Sequence, residues 1–184
     1  MMSKTALIIV DMQNDYFPDG KWTLRGIEAA AGNTARLLTS FRESRQPVIH
    51  VRHEFASNDA PFFTPGSEGA HIHESLSPAD GEFQILKHEV NGFKGTELRE
   101  LLQREGITQL VIAGAMSHIC IDAITRAAAD LGYSNTLIHD ACATLDLEFN
   151  GVHVPAAQVH AAFMAALAFA YAEVVSTDQW LSRQ

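Results

Sequence analysis

Short apolar runs alternate with longer amphipathic ones along almost the whole chain, and few folds satisfy that pattern. "TALIIVD", ending at Asp11, is continuously apolar, as expected of a strand buried on both faces. A helical stretch follows from Gly26 to Arg45, with Ile27, Ala30, Ala31, Leu37, Leu38 and Phe41 recurring along one side. Gln46-Pro47 stops it, and "PVIHVRH" reads as a second strand. "FQILKH", "TQLVIAG", "NTLIHD" and "AEVVST" supply four more strands. Helices are expected over Thr96–Glu105, from the Cys120 region onward, and over Pro155–Tyr171 with proline in its first turn. Such alternation implies a parallel sheet with helices on both faces, joined by right-handed crossovers. The expected fold class is therefore a three-layer α/β/α sandwich around a six-stranded parallel sheet. With no repeat and no linker-like segment, residues 1–184 read as one domain.

One stretch breaks the rhythm. Residues 54–81, rich in Pro, Gly, Ser and His, form a long irregular segment of the kind that serves as a lid or binding loop.

Composition narrows the function. The net charge of −9 argues against a nucleic-acid partner, whose binding surface would be basic. No apolar stretch is long enough to span a bilayer, and the run near the start is interrupted by Asp11 before it could form a signal-peptide core. With only Cys120 and Cys142, free thiols in a reducing cytoplasm are expected.

Ligands of open α/β sheets bind at the carboxyl ends of the strands. Three chemically useful residues fall there: Asp11 after the first strand, Lys87 at the end of the third, and Cys120 after the fourth and the turn "GAMSH". Each has a structural reading of its own. Asp11 could cap a turn, Lys87 could be a solvated edge charge, and Cys120 could be a small buried hydrophobe. If their strands are neighbours, an acid, a cation and a thiol converge, which is the pattern of covalent catalysis.

The stretches "ALIIVDMQNDYF", "ILKHEVNGFKGTEL", "LVIAGAMSHICIDAITRAAADLGY" and "LIHDACAT" resemble the isochorismatase-like cysteine hydrolases, a family that includes nicotinamidases and N-carbamoylsarcosine amidase. The resemblance implies an Asp11–Lys87–Cys120 triad and a cis peptide between Ala115 and Met116. It also implies an oxyanion hole built from the backbone N–H groups of Met116 and Cys120. Lys87 and the helix entrance would then stabilise a Cys120 thiolate, and Asp11 would carry the proton. The implied reaction is cleavage of a small-molecule amide through a thioester, as in hydrolases of ureido acids, cyclic amides or streptothricin. The alternatives are the vinyl ether hydrolysis of isochorismatases and a nicotinamidase-like amidase.

Nicotinamidases carry an Asp-x-His metal motif after the second strand, where this chain reads Arg52-His53-Glu54. Neither His50 with His53 nor His71 with His73 makes an obvious ligand set, so neither a metal nor any other cofactor is expected. Candidate pocket residues are Phe17, Trp22, Arg52, His53, Phe93, His118 and Ile119, with Phe55, Phe62 and Phe63 available for a mouth or a subunit contact. Arg52 and His53 would meet a polar or anionic substrate group. The family commonly forms dimers or larger assemblies, and the apolar helix "AAFMAALAFAYA" offers a contact for a homo-oligomer.

Overall fold

The computed structural model describes residues 4–184. The apolar runs become β1 (Lys4–Val10), β2 (Val48–His53), β3 (Phe83–Lys87), β4 (Ile107–Ala115), β5 (Ser134–Ala143) and β8 (Glu173–Val175). The amphipathic stretches become α1 (Ile27–Glu43), α2 (Leu98–Arg104), α3 (Cys120–Asp130) and α4 (Ala156–Ala170). Two short elements complete the set: the hairpin β6 (Leu147–Phe149) with β7 (Val152–Val154), and the helix α5 (Thr177–Leu181).

The six long-range strands form one all-parallel sheet in the order β3-β2-β1-β4-β5-β8. Leu7 and Ile9 of β1 face α1 and α5, while Ala6, Ile8 and Val10 face α2, α3 and α4. Both faces of the central strand are therefore covered, which is why β1 is apolar without alternation. Chain direction reverses its outward progress between β1 and β4, and at such a switch point the loops diverge to leave a crevice.

Three boundaries differ from the sequence pattern. β5 continues past Asp140 to Ala143, because Cys142 and Ala143 pair with Gly114 and Ala115 after a register shift. Pro155 is the residue before α4 rather than part of its first turn, with extended ψ of 146°. The 54–81 segment contains two single 3-10 turns, Glu68–Ala70 and Glu74–Leu76, and is otherwise irregular.

That segment is nonetheless tightly held. Gln13 donates to the carbonyls of His53 and Ala70, at 2.7 and 2.8 Å, and its Oε1 accepts from the His53 N–H at 2.7 Å. Asp15 accepts from Phe63 N–H at 2.7 Å, and Gly69 lies so close to the Asp15 carboxylate that a Cβ there would collide with it. Farther along, Glu82 gathers Arg42, the Ala79 N–H and the buried His50. Burial alone would raise the Glu82 pKa, but these donors outweigh it and hold it down at about 2.

Candidate active site

The site is assembled from the carboxyl ends of β1, β3 and β4. Asp11 follows β1 in a left-handed backbone conformation, φ 51°, which Asp tolerates better than most residues. Gly114, φ 131°, sits against the backbone of Val10, and any side chain there would strike the Val10 carbonyl. Glycine thus lets β4 approach β1 directly beneath Asp11. Beyond it the Ala115–Met116 peptide is cis, and the turn delivers Cys120 as the first residue of α3.

Lys87 does not come from a neighbouring strand, because β2 lies between β3 and β1. It pairs in register with His53, and its long side chain crosses over β2 to reach the other two groups. Lys87 Nζ lies 2.8 Å from Asp11 Oδ2, 3.3 Å from Cys120 Sγ and 3.0 Å from His53 Nδ1. Asp11 and Lys87 are wholly buried and Cys120 nearly so. Apart from this ion pair, neither Asp11 oxygen has a hydrogen-bond partner.

Burial opposes the charge on Lys87, yet the facing Asp11 carboxylate and Cys120 prevail, and the pKa is raised. The ammonium is therefore kept. The Cys120 thiol behaves differently from the expectation of a ready thiolate. Burial and the Asp11 charge push its pKa up, and the opposing pull of Lys87 is too weak to reverse them. At rest the sulfur holds its proton. Tyr16 is also buried, and burial together with Asp11 and Cys120 raises its phenol well above the usual range, so it stays neutral.

The N–H groups of Met116, His118 and Cys120 donate to no backbone or side-chain acceptor among the described residues, whereas those of Ser117, Ile119 and Ile121 do. The turn that leads into Cys120 therefore keeps backbone donors free. His118 bonds through Nδ1 to Thr144 Oγ1 at 2.7 Å, and Ile119 precedes α3 as its cap. Ser117 Oγ meets His160 Nδ1 at 2.8 Å. These contacts brace the turn that carries Cys120.

Several candidate pocket residues lie elsewhere. Arg52 alternates with His53 along β2, so it faces the opposite side of the sheet from Lys87. Its guanidinium pairs with Glu54 instead of facing substrate. Phe17 stacks on His73 at 3.7 Å and borders a groove of about 430 Å³ against α1, on the face opposite α3. Phe93 stacks on Tyr133 with ring centroids 6.2 Å apart, and its neighbour Gly92 lies against Ile124 of α3. Phe62 and Phe63 are buried against Tyr16 rather than lining a mouth, and the half-exposed Trp22 lies over Phe62 at 4.8 Å. Phe55 meets the His53 ring edge-on at 4.5 Å. Of the candidates, His53 touches Lys87 directly, and His118 and Ile119 immediately precede Cys120.

Residues at the metal-motif positions do not suit an ion, since Arg52 is a cation already paired with Glu54 and His53 Nδ1 is taken by Lys87. Among the described residues, no three His, Cys, Asp or Glu side chains are grouped to ligate one. Cys142 is free, buried and bonded to the Ile138 carbonyl, and burial lifts its pKa to about 12. Gln13 is the residue that spacing did not single out. Its signal is a polar residue set between Met12 and Tyr16 in a stretch the fold buries.

The α/β sheet with an acid, a cation and a thiol gathered at its switch point defines an architecture, and comparison with known proteins gives it a family. The Isochorismatase domain model matches residues 5–179, and the chain belongs to the isochorismatase family of hydrolases. An uncharacterised isochorismatase family protein, YddQ of Bacillus subtilis, is 49% identical over 96% of this chain and 98% of its own. The structure of an Oleispira antarctica protein, provisionally described as an isochorismatase hydrolase, superposes with a TM-score of 0.95 at 56% identity, covering 99% of this chain and 98% of that one. A streptothricin hydrolase of Streptomyces noursei is 35% identical over 77% of this chain and half of its own length.

Proposed function

We propose that the protein is a metal-independent cysteine amidohydrolase that cleaves a C–N amide bond of a small molecule through a thioester on Cys120. The observation that carries this reading is the Lys87 ammonium, buried and in contact with both Asp11 and Cys120. A structural lysine needs one counter-ion; this one also holds a thiol beside a carboxylate that has no other partner. The streptothricin hydrolase among the relatives supports the hydrolytic part of this reading.

Because the resting thiol is protonated, proton transfer and attack belong to one event. Sγ bonds to the substrate carbonyl carbon while Asp11 takes the thiol proton. The oxyanion of the tetrahedral intermediate accepts from the N–H groups of Met116 and Cys120. Collapse breaks the C–N bond, and Asp11 returns the proton to the departing ammonia or amine. Water then attacks the thioester, Asp11 takes its proton, and the carboxylic acid leaves as Cys120 regains its proton. Lys87 balances the Asp11 charge throughout and does not act as a base. The experiment is an ammonia-release screen over small primary amides, ureido acids and cyclic amides, with Cys120→Ala beside the wild type.

The proposal extends to assembly and setting. α4 carries no charged residue, yet Ala161, Ala162, Ala165, Ala166 and Phe169 are exposed, Phe169 by 91%. From Ala161 onward the helix is apolar on every side; such a surface belongs in an interior, and a second copy of the chain would provide one. In sedimentation at micromolar concentration, we expect a dimer or larger for the wild type and a monomer for Phe169→Glu. A monomeric wild type would remove the proposal. A reducing cytoplasm suits the two free thiols. No helix among the described residues is long and apolar enough to cross a membrane.

A further inference from the structure

The geometry assigns His53 a task in the thiol chemistry: as a neutral ring accepting from Lys87, it aims one N–H of the ammonium at Cys120. An ammonium has three N–H donors. His53 Nδ1 and Cys120 Sγ accept at 3.0 and 3.3 Å, and Asp11 Oδ2 lies 2.8 Å away as the ion-pair partner. With the ammonium held against the Asp11 carboxylate and one N–H given to the imidazole, a second is turned toward sulfur. His53 is thus a positioning residue that acts through Lys87.

The surroundings are built for this. Gln13 holds His53 by both its backbone N–H and its carbonyl, so its Cα cannot drift. The ring is nearly fully buried, with Phe55 edge-on at 4.5 Å. Since an ammonium only donates, the contact places the ring proton on Nε2, which is itself buried and without a hydrogen-bond partner. The groups that set its charge are Lys87 on β3, Asp11 after β1, and His88 with the Glu89 carbonyl in the following loop. Burial first, and then the Lys87 charge, bring the His53 pKa down to about 4, so the ring stays an acceptor at neutral pH. A protonated ring would lose the acceptor and repel the ammonium.

This inference builds on Cys120 as nucleophile, but its test reads thiol reactivity and ring protonation rather than turnover, so the two readings fail separately. Iodoacetamide labelling of Cys120 is followed by peptide mass spectrometry at pH 8, 9 and 10, with Cys142 as internal control. His53→Leu keeps the volume and removes the acceptor, and His53→Asn offers Oδ1 in place of Nδ1. The expected result is labelling of Cys120 about tenfold slower in His53→Leu at each pH, a shift of about one unit in thiol pKa. In His53→Asn it returns to within about threefold of wild type. Equal rates in all three proteins, equal slowing in both variants, or faster labelling would overturn the proposal, because a merely loosened core exposes a buried thiol. If His53→Leu fails to fold, which Cys142 labelling reports, nitrogen NMR of His53 in the wild type and Lys87→Met decides. The proposal requires an Nε2–H tautomer that titrates near pH 4 and moves upward without Lys87. A charged ring at pH 6, an Nδ1–H tautomer or no response to Lys87→Met would refute it.

Discussion

Replacing Cys120 with alanine lowers amide turnover by at least about 10⁴-fold while leaving the fold intact. The size follows from the role, because removing a covalent nucleophile also removes the steps that depend on it, and losses of about 10⁴–10⁶ are usual. The fold survives because alanine is the smaller residue and the site keeps its buried Asp11–Lys87 pair. The test is ammonia release from whichever panel compound the wild type turns over, compared with thermal melts of both proteins. Activity within tenfold of wild type would mean that the thiol is dispensable and would end the thioester reading.

Lys87→Met should cost both stability and activity, for separable reasons. It leaves the Asp11 carboxylate buried without its cation, and breaking a buried pair in this way costs about 3–5 kcal/mol. For a chain of this size that is a fall in Tm of about 10 °C or more. The companion Lys87→Met/Asp11→Leu removes both charges and should recover most of the stability, since apolar replacements of a buried pair are often neutral. It should recover no turnover, because neither the proton acceptor nor its cation remains. Calorimetry and the amide assay on the two variants check this. Recovery of activity together with stability would mean that the ion pair is only structural.

How much of this was legible in the sequence depends on what each residue must do. The strands of the sheet are plain because burial on both faces demands continuous apolar runs, as in "ALIIV". Asp11 and Cys120 are legible because they follow such runs and β1 and β4 are neighbours. The position of Lys87 is not, since strand order is set by tertiary packing and leaves β2 between β3 and β1. The hairpin at Asn150-Gly151 has a local signal in its positive φ values of 49° and 77°, which Asn-Gly favours. Its strands of three residues are too short to show alternation. The helix α5 is announced by the capping box Ser176–Gln179, but it is only five residues long.

The pocket was least legible. Aromatic residues serve packing and lining equally well, and Phe62, Phe63 and Phe93 are used for packing. Arg52 shows how one residue of offset along a strand moves a charge to the other face of the sheet. The protonation of Cys120 at rest lay outside sequence reasoning altogether, because it turns on burial outweighing a nearby cation.

The most direct measurement is the intact mass of the protein, quenched in acid during turnover of a panel amide. The account predicts a species heavier by the acyl group of the substrate, mapped to the Cys120 peptide, sensitive to hydroxylamine and absent in Cys120→Ala. Steady turnover with rapid quenching that never shows an adduct, together with unimpaired activity of Cys120→Ala, would contradict it.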